Sequence, residues 1–263
     1  MFGFGRKHAE TQKTASWLKV VTLSETGLVR KDNQDSVLVD HTASLYCVAD
    51  GMGGGAEGAR ASKIVCECMR RSVGGAESSG FVPKMDAVAA AIEESNEKIY
   101  SYSKSQGYRQ MGSTVALLLM EGEGCGRAAI CHVGDSRIYR VRRGLAASLT
   151  RDHTVGVEIG SMAGAASAGA FSNRNNPLAH ILTRAIGTEP AVVPEWRKVD
   201  IEPGDRFVIC SDGVHDVISA SRLGFLVGYG PVEKAREMLS AEIVKNGAPD
   251  NYSFILIEVE KGR

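Results

Sequence analysis

The chain reads SLYCVADGMGGGA from Ser44 to Ala56. The run Ser44–Ala49 is mostly apolar and includes Tyr and Val, which is typical of a strand. Asp50 closes this run and a glycine-rich turn follows. A rigid element would therefore hold the carboxylate while the glycines leave room for an ion and a substrate. After the turn, Ala56–Arg71 has apolar residues at helical spacing and predicts a helix.

Other aspartates occupy the same kind of position, at the end or the start of an apolar run. They are Asp135, Asp212 and Asp250. Carboxylates that converge on one spot repel each other, and a divalent cation is the simplest group that makes such a cluster stable. The pattern predicts one pocket in which acidic side chains from distant parts of the chain hold divalent ions.

Overall charge gives no reason to expect nucleic acid or an anionic membrane as a partner. The chain has 263 residues, in which Lys+Arg and Asp+Glu both number 31. Its six cysteines include no C-x-x-C pair, and we find neither a signal peptide nor a transmembrane window. We therefore expect a cytoplasmic protein with buried free thiols.

No break in composition and no internal repeat divides the chain, so we expect a single domain over residues 16–263. Residues 1–15 are polar and aperiodic, and they predict a mobile tail. From Gly160 to Asn176 the chain is rich in Gly, Ala, Ser and Asn. This composition predicts a flexible flap inserted at about 153–180.

Predicted strands come in runs and predicted helices in pairs, which favours antiparallel sheets with helices packed outside them. The strands are predicted at Trp17–Leu23, Ser36–Asp40, Ser44–Ala49, Thr114–Met120, Arg127–Val133, Arg137–Arg142, Leu145–Leu149, Val193–Ile201, Arg206–Cys210 and Tyr252–Ile257. Two further helices are predicted, at Met85–Tyr102 and from Pro231 to just before Gly247.

The glycine turn also matches G-x-G-x-x-A, the signature of a dinucleotide-binding fold. Two physical arguments weigh against that alternative. Asp50 would lie beside the pyrophosphate, where a carboxylate repels. The one-for-one alternation of strands and helices that such a fold requires is also missing.

Seven short motifs follow one another along the chain. They are Arg30-Lys31-Asp32-Asn33-Gln34-Asp35, Asp50-Gly51-Met52-Gly53-Gly54, Met111-Gly112-Ser113-Thr114, Gly134-Asp135-Ser136-Arg137, Leu182-Thr183-Arg184-Ala185-Ile186-Gly187, Ser211-Asp212-Gly213 and Asp250-Asn251. In this order they resemble the metal-dependent serine/threonine protein phosphatases of the protein phosphatase 2C family, in its bacterial branch. The resemblance spans about Lys19 to Val259.

The resemblance implies an α+β fold, a four-layer αββα sandwich of two antiparallel sheets flanked by helix pairs. It also implies a centre with two Mn²⁺ or Mg²⁺ ions. Transferred motif by motif, Asp50 would bridge the ions, Gly51 would offer a carbonyl, and Asp212, Asp250 and Asp35 would complete the site. Asp135 matches the residue of a third, weaker metal, Asn251 would orient Asp250, and Arg30 would clamp the substrate phosphate.

The implied function is hydrolysis of phosphoserine and phosphothreonine in proteins by a metal-activated water, without a covalent intermediate. Arg30, Asp50 and Asp212 are the expected catalytic residues. Phosphorylated proteins and a bacterial serine/threonine kinase are the implied partners, and we expect a monomer. Two alternatives stay open: a catalytically silent binding module of the same fold, and a two-metal phosphatase or phosphodiesterase acting on small molecules.

Several positions depart from the family pattern or compete for a role. Met52 stands where eukaryotic members have a histidine, so no general acid is assigned, and Gln34 stands where some relatives have a glutamate. The segment Val155–Asn176 does not match the family flap. We expect His132 and His153 to be structural, and likewise His215, although it lies near the cleft. The hydroxyls of Ser113 and Thr114 are expected to cap neighbouring backbone.

Overall fold

The computed structural model describes residues 11–13, 17–75, 80–108, 110–122, 126–163 and 176–260. Its strands are β1 (Thr11–Lys13), β2 (Leu18–Glu25), β3 (Asp35–Asp40), β4 (Leu45–Met52), β5 (Gly112–Ser113), β6 (Val115–Met120), β7 (Arg127–Val133), β8 (Arg137–Arg142), β9 (Leu145–Ser148), β10 (Glu195–Asp200), β11 (Arg206–Cys210) and β12 (Tyr252–Val259). They form two antiparallel sheets. The first sheet has the order β1-β2-β12-β11-β8-β9, and the second has the order β10-β7-β6-β4-β3, with β5 paired to β4.

Helices cover the outer face of each sheet. They are α1 (Ala56–Gly74), α2 (Phe81–Gln106), α3 (Val155–Met162), α4 (Asp212–His215), α5 (Ala220–Val227) and α6 (Val232–Lys245), with a 3₁₀ helix at Pro177–His180. Among the helices of the described residues, none is both long and apolar enough to cross a bilayer.

Alternation of side chains along the central strands explains the layers. In β4, Leu45 and Cys47 pack into the core beneath α1 and α2, whereas Tyr46 and Val48 pack into the core between the two sheets. In β12 the residues alternate in the same way between the intersheet core and a third core beneath α5 and α6. Successive residues of a strand point to opposite faces, so a strand that is apolar throughout can serve two cores. The predicted four-layer αββα sandwich is confirmed.

Parts of the predicted tail and of the predicted flap have regular secondary structure. Thr11–Lys13 lies inside the predicted mobile tail, yet it pairs with β2 as an edge strand, from Thr11 opposite Val21 to Lys13 opposite Lys19. The predicted flexible flap begins with a regular helix, α3, whose first turn is capped by Thr154. Residues 1–10 and 164–175 lie outside the described residues, so the tail and the flap stay predictions there.

Candidate metal centre

Strand ends from both sheets bring aspartates to one end of the sandwich. Asp35 begins β3 and lies directly opposite Asp50 in β4. In the other sheet, Asp212 follows β11 and Asp250 precedes the neighbouring strand β12. Ser211 connects the two sheets, because its hydroxyl donates a hydrogen bond of 2.8 Å to Oδ2 of Asp35. The topology thus brings together residues that are far apart in the chain.

The electrostatics of this end of the sandwich are dominated by repulsion. Burial raises the pKa of Asp50 and of Asp212 well above the ordinary value of an aspartate. Neighbouring carboxylates raise the pKa further, chiefly Asp35 for Asp50 and Asp135 for Asp212, with Asp250 contributing to both. Acidic groups this close resist ionising together unless a cation neutralises them.

Asp35 supplies the test of whether a metal fits. Burial raises its pKa to about 6, although hydrogen bonds from Ser253 and Ser211 oppose the shift. Its Oδ1 atom is buried and has no hydrogen-bond partner among the described residues. Mg²⁺ and Mn²⁺ prefer oxygen ligands, above all carboxylates. A buried carboxylate oxygen without a hydrogen-bond partner, beside other carboxylates, matches that preference. The donor set therefore fits divalent cations.

The backbone of Asp50 is held by the two hydroxyl residues just before β6, Ser113 and Thr114. Oγ1 of Thr114 accepts a hydrogen bond of 3.0 Å from the Asp50 amide, and the Ser113 hydroxyl donates one of 3.0 Å to the Asp50 carbonyl. The expectation that these hydroxyls cap backbone groups is confirmed. Sequence reasoning did not connect them with Asp50. The only available signal was a pair of small hydroxyl residues before an apolar strand.

Close packing between the turn and α1 fixes the direction of the turn after Asp50. A Cβ on Gly51 would lie 1.9 Å from the carbonyl oxygen of Gly58 in α1, so only glycine fits. Gln34 adds to this packing, because its side chain donates a hydrogen bond of 2.9 Å to the Gly55 carbonyl. The residue at position 34 thus holds the glycine turn in this chain.

Arg30 lies exposed at the mouth of the cluster. Its Nη2 is 2.6 Å from Oδ2 of Asp250, and 56% of its side chain is accessible. The hydrogen bond with Asp250 is the largest cause of its raised pKa, and the charges of Asp212 and Asp50 add to it. An exposed guanidinium beside a metal pocket can offer two parallel donors to phosphate oxygens.

Asn251 contacts both Asp250 and the segment that carries Arg30. Its backbone amide donates a hydrogen bond of 2.8 Å to Oδ1 of Asp250. Its side chain instead binds the segment that carries Arg30, since Nδ2 donates to the carbonyls of Thr26 and Asp32 and Oδ1 accepts from the amide of Gln34, each at 2.9 Å. Asn251 therefore orients Asp250 through its backbone and the Arg30 segment through its side chain.

Asp135 lies in the turn between β7 and β8 and is 8% exposed. Burial raises its pKa, the charges of Asp152 and Asp216 raise it further, and His215 lowers it. A small cleft adjoins it. The lining residues are Asp135, Arg137, Asp152, Thr154, Val157, Ala179, His180, His215 and Asp216. Asp135 therefore borders the aspartate cluster on one side and the base of the flap on the other.

Met52 packs against β5, since a Cβ added to Gly112 would lie 2.8 Å from the Cε atom of Met52. A thioether has no proton to donate. The position that carries a histidine in eukaryotic members therefore supplies no general acid here.

A second group of possible metal ligands lies away from the aspartates. Ligand atoms of His132, His153 and Glu195 all lie within 4.8 Å of one another, the one such group among the described residues. The aspartate oxygens are spread more widely, and Asp250 is paired with Arg30.

Hydrogen bonding argues against a metal at these histidines. Nδ1 of His153 accepts from the Gly134 amide, so the proton of the neutral ring is on Nε2, which faces Glu195 at 3.4 Å. The two imidazoles are also stacked, with ring centroids 4.5 Å apart. Nε2 of His132 is 2.8 Å from the Arg151 carbonyl. The expected structural roles of His132 and His153 are confirmed.

Comparison with known proteins agrees with this fold and site. The family model for protein phosphatase 2C matches residues 24–240. The chain is 30% identical over 252 residues to a putative protein phosphatase 2C-type protein of Streptococcus pyogenes, covering 92% of this chain and 98% of that protein. It is 28% identical over 243 residues to the serine/threonine protein phosphatase PstP of Mycobacterium tuberculosis, and these cover 92% of this chain and 45% of PstP. The chain thus spans about half the length of that relative.

Solved structures show the same architecture. PppA, a regulatory component of the type VI secretion system in Pseudomonas aeruginosa, has a TM-score of 0.83 at 29% identity, covering 93% of this chain and 98% of that one. The catalytic domain of PstP in complex with two manganese ions has a TM-score of 0.77 at 28% identity, covering 93% and 99%. The chain belongs to the protein phosphatase 2C family.

Proposed function

We propose that this protein is a metal-dependent protein-serine/threonine phosphatase, which hydrolyses phosphoserine and phosphothreonine in proteins. The observation that carries the proposal is the gathering of aspartates from both sheets beside the exposed guanidinium of Arg30. Membership of the family supports it, as does the serine/threonine phosphatase activity for which PstP is named.

In this proposal Asp50, Asp212, Asp250 and Asp35, with the Gly51 carbonyl, would hold two Mn²⁺ or Mg²⁺ ions. Asp135 would hold a third ion more weakly. When bound, such ions make water nucleophilic near neutral pH and neutralise charge on the phosphoryl group.

The protein's own groups have separate tasks. Arg30 binds phosphate oxygens and orients the phosphorus toward the aspartate cluster. The hydroxyls of Ser113 and Thr114 keep the Asp50 backbone fixed, so its carboxylate does not reorganise during the reaction. No side chain is assigned as general acid, because Met52 cannot donate a proton.

The biological setting belongs to the same proposal. Substrates would be phosphorylated proteins, and a bacterial serine/threonine kinase would be the opposing enzyme in a signalling pair. We propose a cytoplasmic monomer with a flexible flap at about 153–180. Five cysteines among the described residues are free and buried, which supports a reducing compartment. The presence of Asp35, Asp50, Asp212 and Asp250 weighs against a catalytically silent module.

The test is hydrolysis of a phosphothreonine peptide and of p-nitrophenyl phosphate, with Mn²⁺ and with a chelator. We expect metal-dependent turnover of both, and a loss of several orders of magnitude in Asp50→Asn. Asp32→Asn is the matched control, because Asp32 is an exposed carboxylate of the neighbouring loop. No metal-dependent hydrolysis by the wild type would refute the proposal. Cleavage of phosphodiesters alone would favour the small-molecule alternative.

A further inference from the structure

His215, the last residue of α4, contacts the backbone of Asp135. Its Nε2 lies 3.0 Å from the Asp135 carbonyl oxygen, and the ring is 4% exposed. A carbonyl only accepts, so Nε2 must carry the proton and donate. Three residues before His215, the same helix begins at Asp212, so one short helix touches both aspartates.

The peptide on the other side of Asp135 is held by a second histidine. The Gly134 amide donates to Nδ1 of His153 at 3.1 Å, and the His153 amide donates to the Gly134 carbonyl at 3.0 Å. Gly134 has a φ of 98°, in the region that favours glycine. The turn carrying Asp135 is therefore fixed from two directions, by the base of the flap and by α4.

This restraint matters because the surroundings repel the Asp135 carboxylate. The charges of Asp152 and Asp216 raise the pKa of Asp135. Among the neighbouring carboxylates, Asp135 raises the pKa of Asp212 most. A turn that was free to move would relieve the repulsion by swinging Asp135 away from the cluster. The hydrogen bond from His215 opposes that movement, since it binds the backbone of Asp135 itself.

We propose that His215 is a positioning residue, which holds Asp135 at the edge of the aspartate cluster so that the carboxylate binds its divalent ion. The inference rests on the proposed function, and it adds a role for a residue that the family motifs leave unassigned. Removing such an outer-sphere partner typically weakens metal binding by about 10-fold or more.

The test compares two substitutions that differ in one hydrogen bond. The Gln amide nitrogen reaches about as far as Nε2 of histidine, so His215→Gln keeps a donor to the Asp135 carbonyl, whereas His215→Leu removes it. Mn²⁺ binding is measured by titration calorimetry and by electron paramagnetic resonance of the free ion. We expect His215→Leu to weaken the weakest-binding equivalent about 10-fold, and His215→Gln to restore most of it.

A double substitution separates positioning from folding. In an Asp135→Asn background, where this ion is lost, His215→Leu should have no further effect on Mn²⁺ binding. His41→Leu is the matched control, because His41 is a half-buried residue in the turn between β3 and β4 whose buried ring nitrogens have no hydrogen-bond partner among the described residues. Melting temperatures with a chelator report any general loss of stability.

Three results would overturn the inference. They are equal Mn²⁺ binding by wild type and His215→Leu, an equal loss in His215→Gln and His215→Leu, and an effect that persists in the Asp135→Asn background. Wild-type protein that binds only two ions but hydrolyses phosphothreonine would also overturn it, while leaving the proposed function intact. Absence of all Mn²⁺ binding and hydrolysis would refute the proposed function itself.

Discussion

At the scale of single residues, the site combines carboxylates that repel each other with an arginine that partly offsets the repulsion. The anionic forms of Asp50 and Asp212 are disfavoured by burial and by neighbouring carboxylates. Arg30 partly relieves this, since it pairs with Asp250 and feels the charges of both other aspartates. The same positive charge that stabilises the acidic cluster is available to an incoming phosphate. In the proposed function, Arg30 therefore links the stability of the site to substrate binding.

This arrangement predicts how Arg30→Ala will behave. Hydrogen bonds to charged groups contribute about 1.5–3 kcal/mol, so KM for a phosphothreonine peptide should rise roughly 10-fold to 100-fold. The turnover number should change much less, because the substitution removes binding common to ground and transition states. Arg30→Lys should recover only part of the loss, since an ammonium lacks the parallel pair of donors. Steady-state kinetics with saturating Mn²⁺ measure both constants. An unchanged KM in Arg30→Ala would contradict the phosphate clamp.

At the scale of elements, helices are attached to the site by close backbone contacts. The turn after Asp50 touches α1 where two glycines meet, Gly51 and Gly58. The turn between β8 and β9 touches α5 in the same manner, because a Cβ on Gly224 would lie 2.3 Å from the Gly144 carbonyl oxygen. In each case a glycine inside a helix, which lowers helix propensity, permits an approach that no other residue allows.

The contact of α1 with the turn predicts the effect of Gly58→Ala. An added methyl would lie 2.7 Å from the Gly51 carbonyl oxygen and 2.5 Å from Oε1 of Gln34, so the helix or the turn must shift. The expected results are lower stability and weaker Mn²⁺ binding, although Ala favours a helix by about 1 kcal/mol over Gly. Gly75→Ala, at the other end of α1, is the matched control, because its nearest neighbour is 3.6 Å away. Denaturant unfolding and calorimetry measure the two effects. Equal behaviour of the two variants would refute the argument.

The base of the flap predicts a pH dependence of stability. Burial and the neighbouring His132 and Arg184 lower the pKa of His153, Glu195 opposes them, and the resulting pKa is about 4. Below the ordinary histidine pKa of about 6.5, His153 is protonated in the unfolded chain but stays neutral in the folded protein. Its contribution to stability is therefore fully present above pH 6.5 and is lost as the pH falls toward 4.

His153 should contribute up to roughly 3 kcal/mol to that loss, on the order of 1.4 kcal/mol for each pH unit between 6.5 and 4. Urea unfolding at several pH values measures the slope. His153→Gln is expected to have a shallower slope than wild type, whatever its absolute stability. His180→Gln is the control, because His180 is 43% exposed in the 3₁₀ helix. A slope that His153→Gln leaves unaltered would contradict a buried neutral His153.

At the scale of the whole molecule, sequence patterns predicted the secondary-structure elements that short segments determine, but not the contacts between distant segments. β7, β8 and β11 have the predicted bounds, because each is a short run containing Val, Ile, Phe or Tyr between turn residues. α5 was not predicted, because Gly224 interrupts its pattern and is explained only by its contact with Gly144. The bond from Ser211 to Asp35 joins residues 176 positions apart, and the partners of Asn251 and His215 likewise depend on how the sheets stack. The spacing of residues within one segment does not predict such long-range contacts.

The same stacking makes the folded state sensitive to metal. Because the cluster exists only when both sheets are packed, ions bind the folded protein and not the unfolded chain. Mn²⁺ at 100 times its Kd should add about 2.7 kcal/mol, which is roughly 5–10 °C in melting temperature for a domain of this size. Asp50→Asn should abolish this gain. With a chelator the same variant should melt above wild type, because it removes one buried charge from a repelling set. Differential scanning calorimetry compares the four conditions, with Asp32→Asn as control. A wild-type melting temperature that ignores both Mn²⁺ and chelator would contradict a shared cluster, since carboxylates that meet in one pocket cannot be indifferent to the cation that neutralises them.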